Sequence, residues 1–208
     1  MRYVRQARSF VALGRPPPYY SDLTFLAGSD TAAALTEVRK LVERQPRVAT
    51  VKDASCRLDL TGLGFRVLFE ASWVRAEADA ILPAGDGWQR IETPKDLERW
   101  EDAWGRAGSP ADQRIFVPDI LKSPKIAIFG RPGKAGFSAG CIANLSSDCV
   151  GVSNLFGRPL PAVVAAASAL SRDFGGGLPL VGYSTGDELT AMLRAGFQQT
   201  GPLRVWIR

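Results

Sequence analysis

The sequence predicts a mixed α/β protein made of two related units, and two observations support this class. Short apolar segments typical of strands alternate with segments whose apolar residues recur every three to four positions, as in helices. In addition, residues 51–75 (VKDASCRLDLTGLGFRVLFEASWVR) and residues 181–208 share one order of features: a strand end, a short helix, Gly-Phe, and a strand with a Trp near its end. We therefore expect the two segments to superpose, with Phe65 and Phe197 in equivalent core positions.

The first half of the chain predicts one strand-helix-strand unit. After a basic, proline-rich start, residues 19–28 (YYSDLTFLAG) predict a strand by their aromatic and apolar alternation. The apolar residues of 31–44 recur at helical spacing, which predicts a helix capped by Ser29 or Asp30 and ended by Pro46. The rest of this half predicts a strand at 48–51, a short helix at 53–63 and a strand at 65–78.

Glycines and prolines at the middle of the chain predict a linker at residues 81–87, between units 1–80 and 88–208. The second unit opens with an amphipathic helix that begins after Thr93 and Pro94. The following elements are three strands within 125–157, a helix at 161–172, a strand at 178–183, a helix at 187–196 and a closing strand at 197–208 that is bent or interrupted at Gly201-Pro202. The apolar end of that last strand predicts a core position, with Trp206 packed beneath a helix.

The absence of histidine is the most informative feature of the composition. None of the 208 residues is a His. Ser-His-Asp and Cys-His relays, and most catalytic zinc sites, depend on an imidazole. These classes are therefore excluded, no metal is expected, and any acid-base chemistry must use Asp, Glu, Tyr, Cys, Lys or a positioned water.

Charge, cysteine content and hydropathy restrict partners and location. The formal charge of +5 comes from 26 Lys and Arg against 21 Asp and Glu spread along the chain, so an anionic small ligand is favoured over nucleic acid. Cys56, Cys141 and Cys149 lack a metal-ligand spacing and are expected to be buried, unreactive thiols. No membrane span or signal peptide is expected, which predicts a cytoplasmic protein; the oligomeric state is left open.

The second half resembles the GNAT acyltransferase superfamily, whose fold binds acyl-CoA where two central parallel strands diverge. The resemblance covers residues 88–208 and rests on the order of elements, on the meander ending in VGVSNLF, and on a helix ending Arg194-Ala195-Gly196-Phe197 followed by PLRVW. Residues 1–80 resemble an incomplete copy without the leading helix and meander. The resemblance implies two tandem GNAT-like units in one chain; the alternative is that both halves share a strand-helix-strand rhythm by chance.

The resemblance also implies a site and its ligands. An acyl-CoA co-substrate would donate its acyl group to an amine of a small molecule or a protein. The residues implied in binding acyl-CoA are Val152, Ser153, Asn154 and Leu155 along the pantetheine arm, Gly157 and Arg158 at the phosphates, and Ser184 and Thr185 across the gap.

The sequence departs from the family pattern at the phosphate loop. The family carries a glycine-rich loop there, because glycines let backbone amides approach the diphosphate at a helix N-terminus. In this chain the stretch 156–161 reads FGRPLP, whose two prolines remove amide donors. The equivalent stretch of the first half, 27–31 (AGSDT), keeps one glycine but adds Asp30, which also serves as a helix cap.

The usual general acid of the family, a tyrosine one turn before Gly-Phe, is also replaced. Met192 occupies that position in the second half and Leu60 in the first. Tyr183 is the nearest phenol, and its alternative role is that of a packed core aromatic. Candidate bases are Glu92, Asp148 and Asp173, each of which has an ordinary surface role as its alternative.

Two functions from different classes follow. The first is an N-acyltransferase that moves an acetyl or another acyl group from acyl-CoA to an amine, largely by positioning. The second is a non-catalytic GNAT-fold protein that has lost acyl-CoA chemistry and binds a ligand or a partner. Burial of Asn154 and Ser184 by their neighbours would favour the second function.

Overall fold

Strands and helices alternate along the chain, which confirms the mixed α/β class. The structure is a computed structural model that describes residues 3–44, 49–81, 87–109, 112–134 and 136–208. The strands are β1 (Tyr3–Arg5), β2 (Ser9–Ala12), β3 (Leu23–Phe25), β4 (Thr50–Asp53), β5 (Arg66–Ala76), β6 (Gln89–Arg90), β7 (Ile126–Gly133), β8 (Gly136–Leu145), β9 (Val150–Gly157), β10 (Leu180–Ser184) and β11 (Gln198–Ile207). The helices are α1 (Thr31–Arg44), α2 (Pro94–Arg106), α3 (Leu160–Phe174) and α4 (Gly186–Arg194).

The chain divides into two compact units at positions other than the expected linker. Unit 1 combines Met1–Ser72 with Gly201–Arg208, and unit 2 is Trp73–Thr200. Most of the expected linker 81–87 lies outside the described residues, so the linker and its boundaries stay a prediction.

In unit 1 the strand order is β1-β2-β3-β4-β11-β5. β3 and β4 are parallel, whereas β1, β2 and β3 form an antiparallel meander and β11 pairs antiparallel with β4. Helix α1 begins after Asp30, whose Oδ1 accepts a hydrogen bond from the Ala33 N–H at 2.8 Å. Its apolar face shares a buried cluster with Trp206 of β11. The last strand is therefore part of the core, as predicted.

The expected short helix at 53–63 is wrong, and the reason is a buried carboxylate. Asp53 is 1% exposed and accepts hydrogen bonds from Ser55 N, Ser55 Oγ and Leu58 N at 2.8–2.9 Å. These bonds hold the chain in a turn in place of a helix, and only a 3₁₀ turn forms, at Thr61–Leu63. The expected strand at 19–28 is also shorter, and β1 and β2 were not predicted.

Replacing Asp53 with Ala is expected to destabilise unit 1 by about 2–4 kcal/mol, because the Leu58 N–H and the Ser55 hydroxyl lose a charged, buried acceptor. Chemical denaturation measures this loss. Asp59 provides a matched control, since it accepts from Thr61 N and Thr61 Oγ1 in the same local pattern but is exposed. Asp59→Ala is expected to cost clearly less; equal losses would show that burial of Asp53 is unimportant.

In unit 2 the strand order is β5-β10-β9-β8-β7-β6. β7, β8 and β9 form the predicted antiparallel meander, and β9 and β10 are parallel. Alternate residues of the meander face opposite sides: Cys141 and Val152 pack with α3 and α4, whereas Ile142 and Phe156 pack with α2. The sheet of unit 2 is thus covered by α3 and α4 on one face and by α2 on the other.

The three predicted helices of unit 2 are confirmed, and α3 and α4 each begin one residue before the predicted position. Thr93 Oγ1 accepts the Asp96 N–H at 3.1 Å, which caps α2 immediately before Pro94. α3 ends at Phe174, before the glycines that were expected to stop it. The last strand was expected to be bent or interrupted at Gly201-Pro202; it is not interrupted, because β11 continues through both residues, and the bend stays a prediction.

The two Gly-Phe sequences adopt the same local turn. Gly64 and Gly196 have positive φ angles of 79° and 98°. The Phe65 N–H bonds to the Leu60 carbonyl at 3.2 Å, and the Phe197 N–H bonds to the Met192 carbonyl at 3.1 Å. Each glycine N–H bonds to the carbonyl three residues earlier, which completes a helix-ending turn that a left-handed glycine permits. Both phenylalanines are 3% exposed. This supports the internal repeat, while superposition of the two segments stays a prediction.

Candidate functional site

The site begins where strands β9 and β10 part. Their parallel ladder contains only two residue pairs, Val150 with Leu180 and Val181 with Gly151. β9 continues to Gly157 and β10 to Ser184 without further pairing between them. Beyond these two pairs, no ladder joins the two strands.

A β-bulge in β9 accounts for this divergence. Ser153 pairs with Ile142 and Phe156 with Gly140, so that two residues, Asn154 and Leu155, lie opposite Cys141 alone. Asn154 has a φ angle of 54°, in the left-handed region that Asn adopts more readily than most residues. An extra residue on one strand bends that strand and increases its twist, which turns β9 away from β10.

The predicted site residues lie at different depths along this gap. Ser153 is exposed, Asn154 and Leu155 are half-buried, and Val152 is 4% exposed. On the other strand Ser184 is 4% exposed, and Thr185, exposed, precedes α4. Both Asn154 and Ser184 lie beyond the two residue pairs that join β9 and β10.

A cavity of about 770 Å³ lies where α3 begins. It is lined by Arg158, Pro159, Leu160, Pro161, Asp187, Thr190, Ala191 and Arg194. Two exposed guanidinium groups therefore lie beside one helix start, where an anion is also favoured by the helix dipole. Arg158 was predicted from the sequence, whereas Arg194 was not.

The two prolines of the loop occupy positions that a helix start tolerates. Pro159 is the residue before the helix, and Pro161 is in its first turn. The Val163 N–H donates a hydrogen bond to the Pro159 carbonyl at 3.2 Å. The N–H groups of Leu160 and Ala162 are therefore the remaining donors in the first turn of the helix. Arginine side chains, more than backbone amides, are thus the main anion-binding groups of this cavity.

Tyr183 of β10 and Met192 of α4 lie on opposite sides of the sheet. A Cβ placed on Gly182 would lie 3.9 Å from Met192 Cε, so the even-numbered face of β10 packs against α4. The odd-numbered Tyr183 points to the other face, where its ring makes an edge contact with Trp73 at 5.4 Å between centroids. Met192 itself is 1% exposed and has no ionisable group.

Sequence reasoning missed one acid that the structure brings to the gap, Glu188. Its Oε1 accepts a hydrogen bond from Ser184 Oγ at 2.9 Å. Burial raises the pKa of Glu188 above its ordinary value, and the Ser184 hydrogen bond opposes part of that rise. Because Glu188 lies four residues before Met192, the two side chains share a face of α4.

The other candidate groups lie on the surface or are buried for packing. Glu92 and Asp148 are exposed, and Asp173 pairs with Arg172 at 2.6 Å. Cys141 is buried, which raises its pKa to about 12. The expectation of burial is wrong for Cys56 and Cys149, which are partly exposed, although burial also raises their pKa values.

The described residues contain neither a cluster of metal ligands nor a helix that could span a membrane. There, no group of three His, Cys, Asp or Glu side chains could hold a metal ion. Within the same ranges, no helix combines the length and apolar character that a bilayer crossing requires.

No family model matches the sequence, and no curated protein matches it either. Similarity to solved structures, in contrast, extends over 99% of this chain in three cases. A conserved protein of unknown function from Staphylococcus epidermidis matches with a TM-score of 0.70 and 12% identity over 92% of its own chain. A GCN5-related N-acetyltransferase from Kribbella flavida matches at 0.66 and 15% over 88% of its chain.

A GNAT-family protein from Novosphingobium aromaticivorans, described as a putative acetyltransferase, matches with a TM-score of 0.61 and 11% identity over 89% of its chain. These matches include the first half of the chain as well as the second. At such identities the similarity establishes the fold alone. The chain therefore has the fold of the GNAT superfamily, the GCN5-related N-acetyltransferases.

Proposed function

We propose that the protein is an N-acyltransferase that moves an acetyl or another acyl group from acyl-CoA to an amine. The observation that carries this proposal is the gap between β9 and β10, where pairing stops after two residue pairs. Ligands of open α/β sheets collect at the carboxyl ends of such strands. The bulge at Asn154 bends β9 at this point.

The pantetheine arm of CoA fits this gap by its chemistry. It contains two amide groups, which can hydrogen-bond to exposed strand backbone as another strand would. The β9 segment Val152–Leu155 is the proposed partner, with Ser184 and Thr185 on the opposite side. A thioester carbonyl held between the two strands would be fixed in orientation for attack by an amine.

The phosphate end of CoA fits the cavity at the start of α3. Arg158 and Arg194 supply two positive charges, and the first turn of α3 supplies the N–H groups of Leu160 and Ala162. Guanidinium groups form paired, charge-assisted hydrogen bonds with phosphate oxygens. This arrangement replaces the glycine-rich amide cradle that the prolines preclude.

Calorimetric titration with acetyl-CoA and with CoA tests the proposal. We expect micromolar binding, and about 10-fold weaker binding for Arg158→Ala and for Arg194→Ala, the effect of one charge-assisted hydrogen bond. Arg75→Ala is a matched control, since this exposed arginine of unit 2 pairs with Glu77 far from the cavity residues in sequence. Unchanged binding in both cavity variants would contradict the phosphate assignment.

A binding function without catalysis is the second candidate, and the burial of Met192 at the family's tyrosine position favours it. Ser184 is also buried and hydrogen-bonded, whereas Asn154 is only half-buried. Absence of acetyl-CoA binding at millimolar concentration would reject the acyltransferase and support a different ligand. Binding of acetyl-CoA without transfer to any primary amine would support a non-catalytic role.

A further inference from the structure

Glu188 is held at the gap by a strand residue. Ser184, the last residue of β10, donates its hydroxyl hydrogen bond to Glu188 Oε1 at 2.9 Å. Ser184 lies beyond the two residue pairs that join β9 and β10. The carboxyl group of Glu188 is therefore held beside the end of β10 that the ladder does not reach.

Burial and the hydrogen bond from Ser184 determine the direction in which the pKa of Glu188 is shifted. Asp187 and Arg194 of α4 line the neighbouring cavity. Tyr183 of β10 points to the opposite face, and Arg172 and Asp173 of α3 pair with each other. Among the described residues, none of these charges contributes to the pKa of Glu188, which burial raises. A carboxylate of raised pKa accepts a proton more readily at neutral pH.

We propose that Glu188 carries the proton in the acyl transfer, in the role for which the family's tyrosine is missing at Met192. This inference rests on the proposed function and assigns it a catalytic residue. Ser184 acts as a positioning residue that fixes the carboxyl group. Met192, one turn further along the same face of α4, belongs to the buried apolar cluster of unit 2 that packs on this side of the sheet.

The proton balance of the reaction needs one such group. The lone pair of a neutral amine attacks the thioester carbonyl carbon and forms the C–N bond. The C–S bond then breaks, and its electron pair goes to sulfur. The nitrogen loses one proton and the thiolate gains one, so that the Glu188 carboxylate can take the proton from nitrogen and return it to sulfur. The products are an amide and the CoA thiol, and no further reactant is required.

The first test is the pH dependence of kcat/KM with acetyl-CoA and a panel of primary amines. In the native chain, activity should fall on the acidic side with an apparent pKa above that of an ordinary Glu. Glu188→Gln should lower kcat by about 100-fold or more, remove this acidic limb, and leave the Kd of acetyl-CoA within about threefold. Glu98→Gln, on an exposed face of α2, is the matched control and should keep the native profile.

Ser184→Ala separates a positioning role from a purely structural one. The Ser184 hydrogen bond lowers the pKa of Glu188, so its removal should move the acidic limb to higher pH. A variant that merely loosened the fold would lower the rate without moving the limb. An unmoved limb in Ser184→Ala would overturn the positioning role.

A second measurement does not depend on the acceptor. Calorimetry of CoA binding near pH 6, in buffers of different ionisation enthalpy, gives the number of protons taken up. Covering Glu188 with CoA should raise its pKa further and cause proton uptake, whereas binding of the CoA phosphate by arginines lowers the phosphate pKa and releases protons. Glu188→Gln should lose the uptake and keep the release. Equal uptake in both proteins, or a native rate profile in Glu188→Gln, would overturn the Glu188 assignment alone. Absence of CoA binding to the native chain would instead overturn the proposed function, and the assignment with it.

Discussion

Deletion of Asn154 is expected to weaken acyl-CoA binding by about 100-fold or more, equivalent to roughly 3 kcal/mol. The deletion leaves Leu155 as the single residue opposite Cys141, while the pairs on either side, Ser153 with Ile142 and Phe156 with Gly140, keep their register. Without the bulge, β9 follows a regular path and its ladder with β10 can continue past the two existing pairs. The gap that is proposed to hold the pantetheine arm would close. Calorimetry with CoA measures the loss.

Asn154→Gly is the control for this deletion. Glycine adopts the 54° φ angle of residue 154 without strain, so the bulge should remain and binding should change by less than about tenfold. Thermal unfolding and circular dichroism establish that both variants are folded. A folded deletion variant that binds CoA as the native chain does would refute the link between the bulge and the site.

Trp100→Ala is expected to destabilise unit 2 by about 3–5 kcal/mol, the usual cost of removing a large buried aromatic side chain. Trp100 has no exposed surface, and its Nε1 donates a hydrogen bond to the Phe129 carbonyl at 2.8 Å. Its ring makes edge contacts with Phe116 and Phe156, at 5.6 and 5.3 Å between centroids. Guanidinium denaturation measures the change in unfolding free energy.

Trp88→Ala is the matched control, because Trp88 is only partly buried and packs at the margin of the other cluster of unit 2. Its loss should cost clearly less than that of Trp100. Trp100→Phe keeps an aromatic ring but removes the N–H donor, and its loss of unfolding free energy should lie between those of Trp88→Ala and Trp100→Ala. Similar losses for Trp88→Ala and Trp100→Ala would show that the α2 interface is not the dominant core contact of this face.

The sequence predicted the helices of this fold well because their boundaries are set locally. Asp30 and Thr93 are cap residues whose side chains accept hydrogen bonds from nearby backbone N–H groups. Residues of these types before an apolar helical pattern predict such caps from the sequence alone. β1 and β2 were missed because strands of three and four residues are too short to show a periodic pattern of apolar residues. The helix expected at 53–63 does not form because the buried Asp53 carboxylate accepts hydrogen bonds from backbone N–H groups that a helix would use. The burial of Asp53 was not predicted from the sequence.

The site could be predicted in part. Ser153 and Asn154 were expected there from the resemblance to the GNAT superfamily, and their role in binding stays a prediction. The contributions of α4 depend on which side of the helix faces which neighbour. Arg194 lines the cavity with Asp187, whereas Glu188, one residue later, turns to Ser184. Only the packing of α4 on the sheet separates these faces, so no pattern of residues favours Glu188 over the surface acids.

The position of β11 between β4 and β5 affects the order in which the parts of the chain fold during translation. Asp53 of β4 pairs with Arg204 of β11, and all of Trp73–Thr200 is translated between them. A nascent chain can therefore assemble the strands of unit 2 while β4 still lacks a neighbour on one side. Until Gly201–Ile207 emerge, that edge is open to wrong pairing. Protease resistance of the nascent chain should accordingly appear in unit 2 before unit 1.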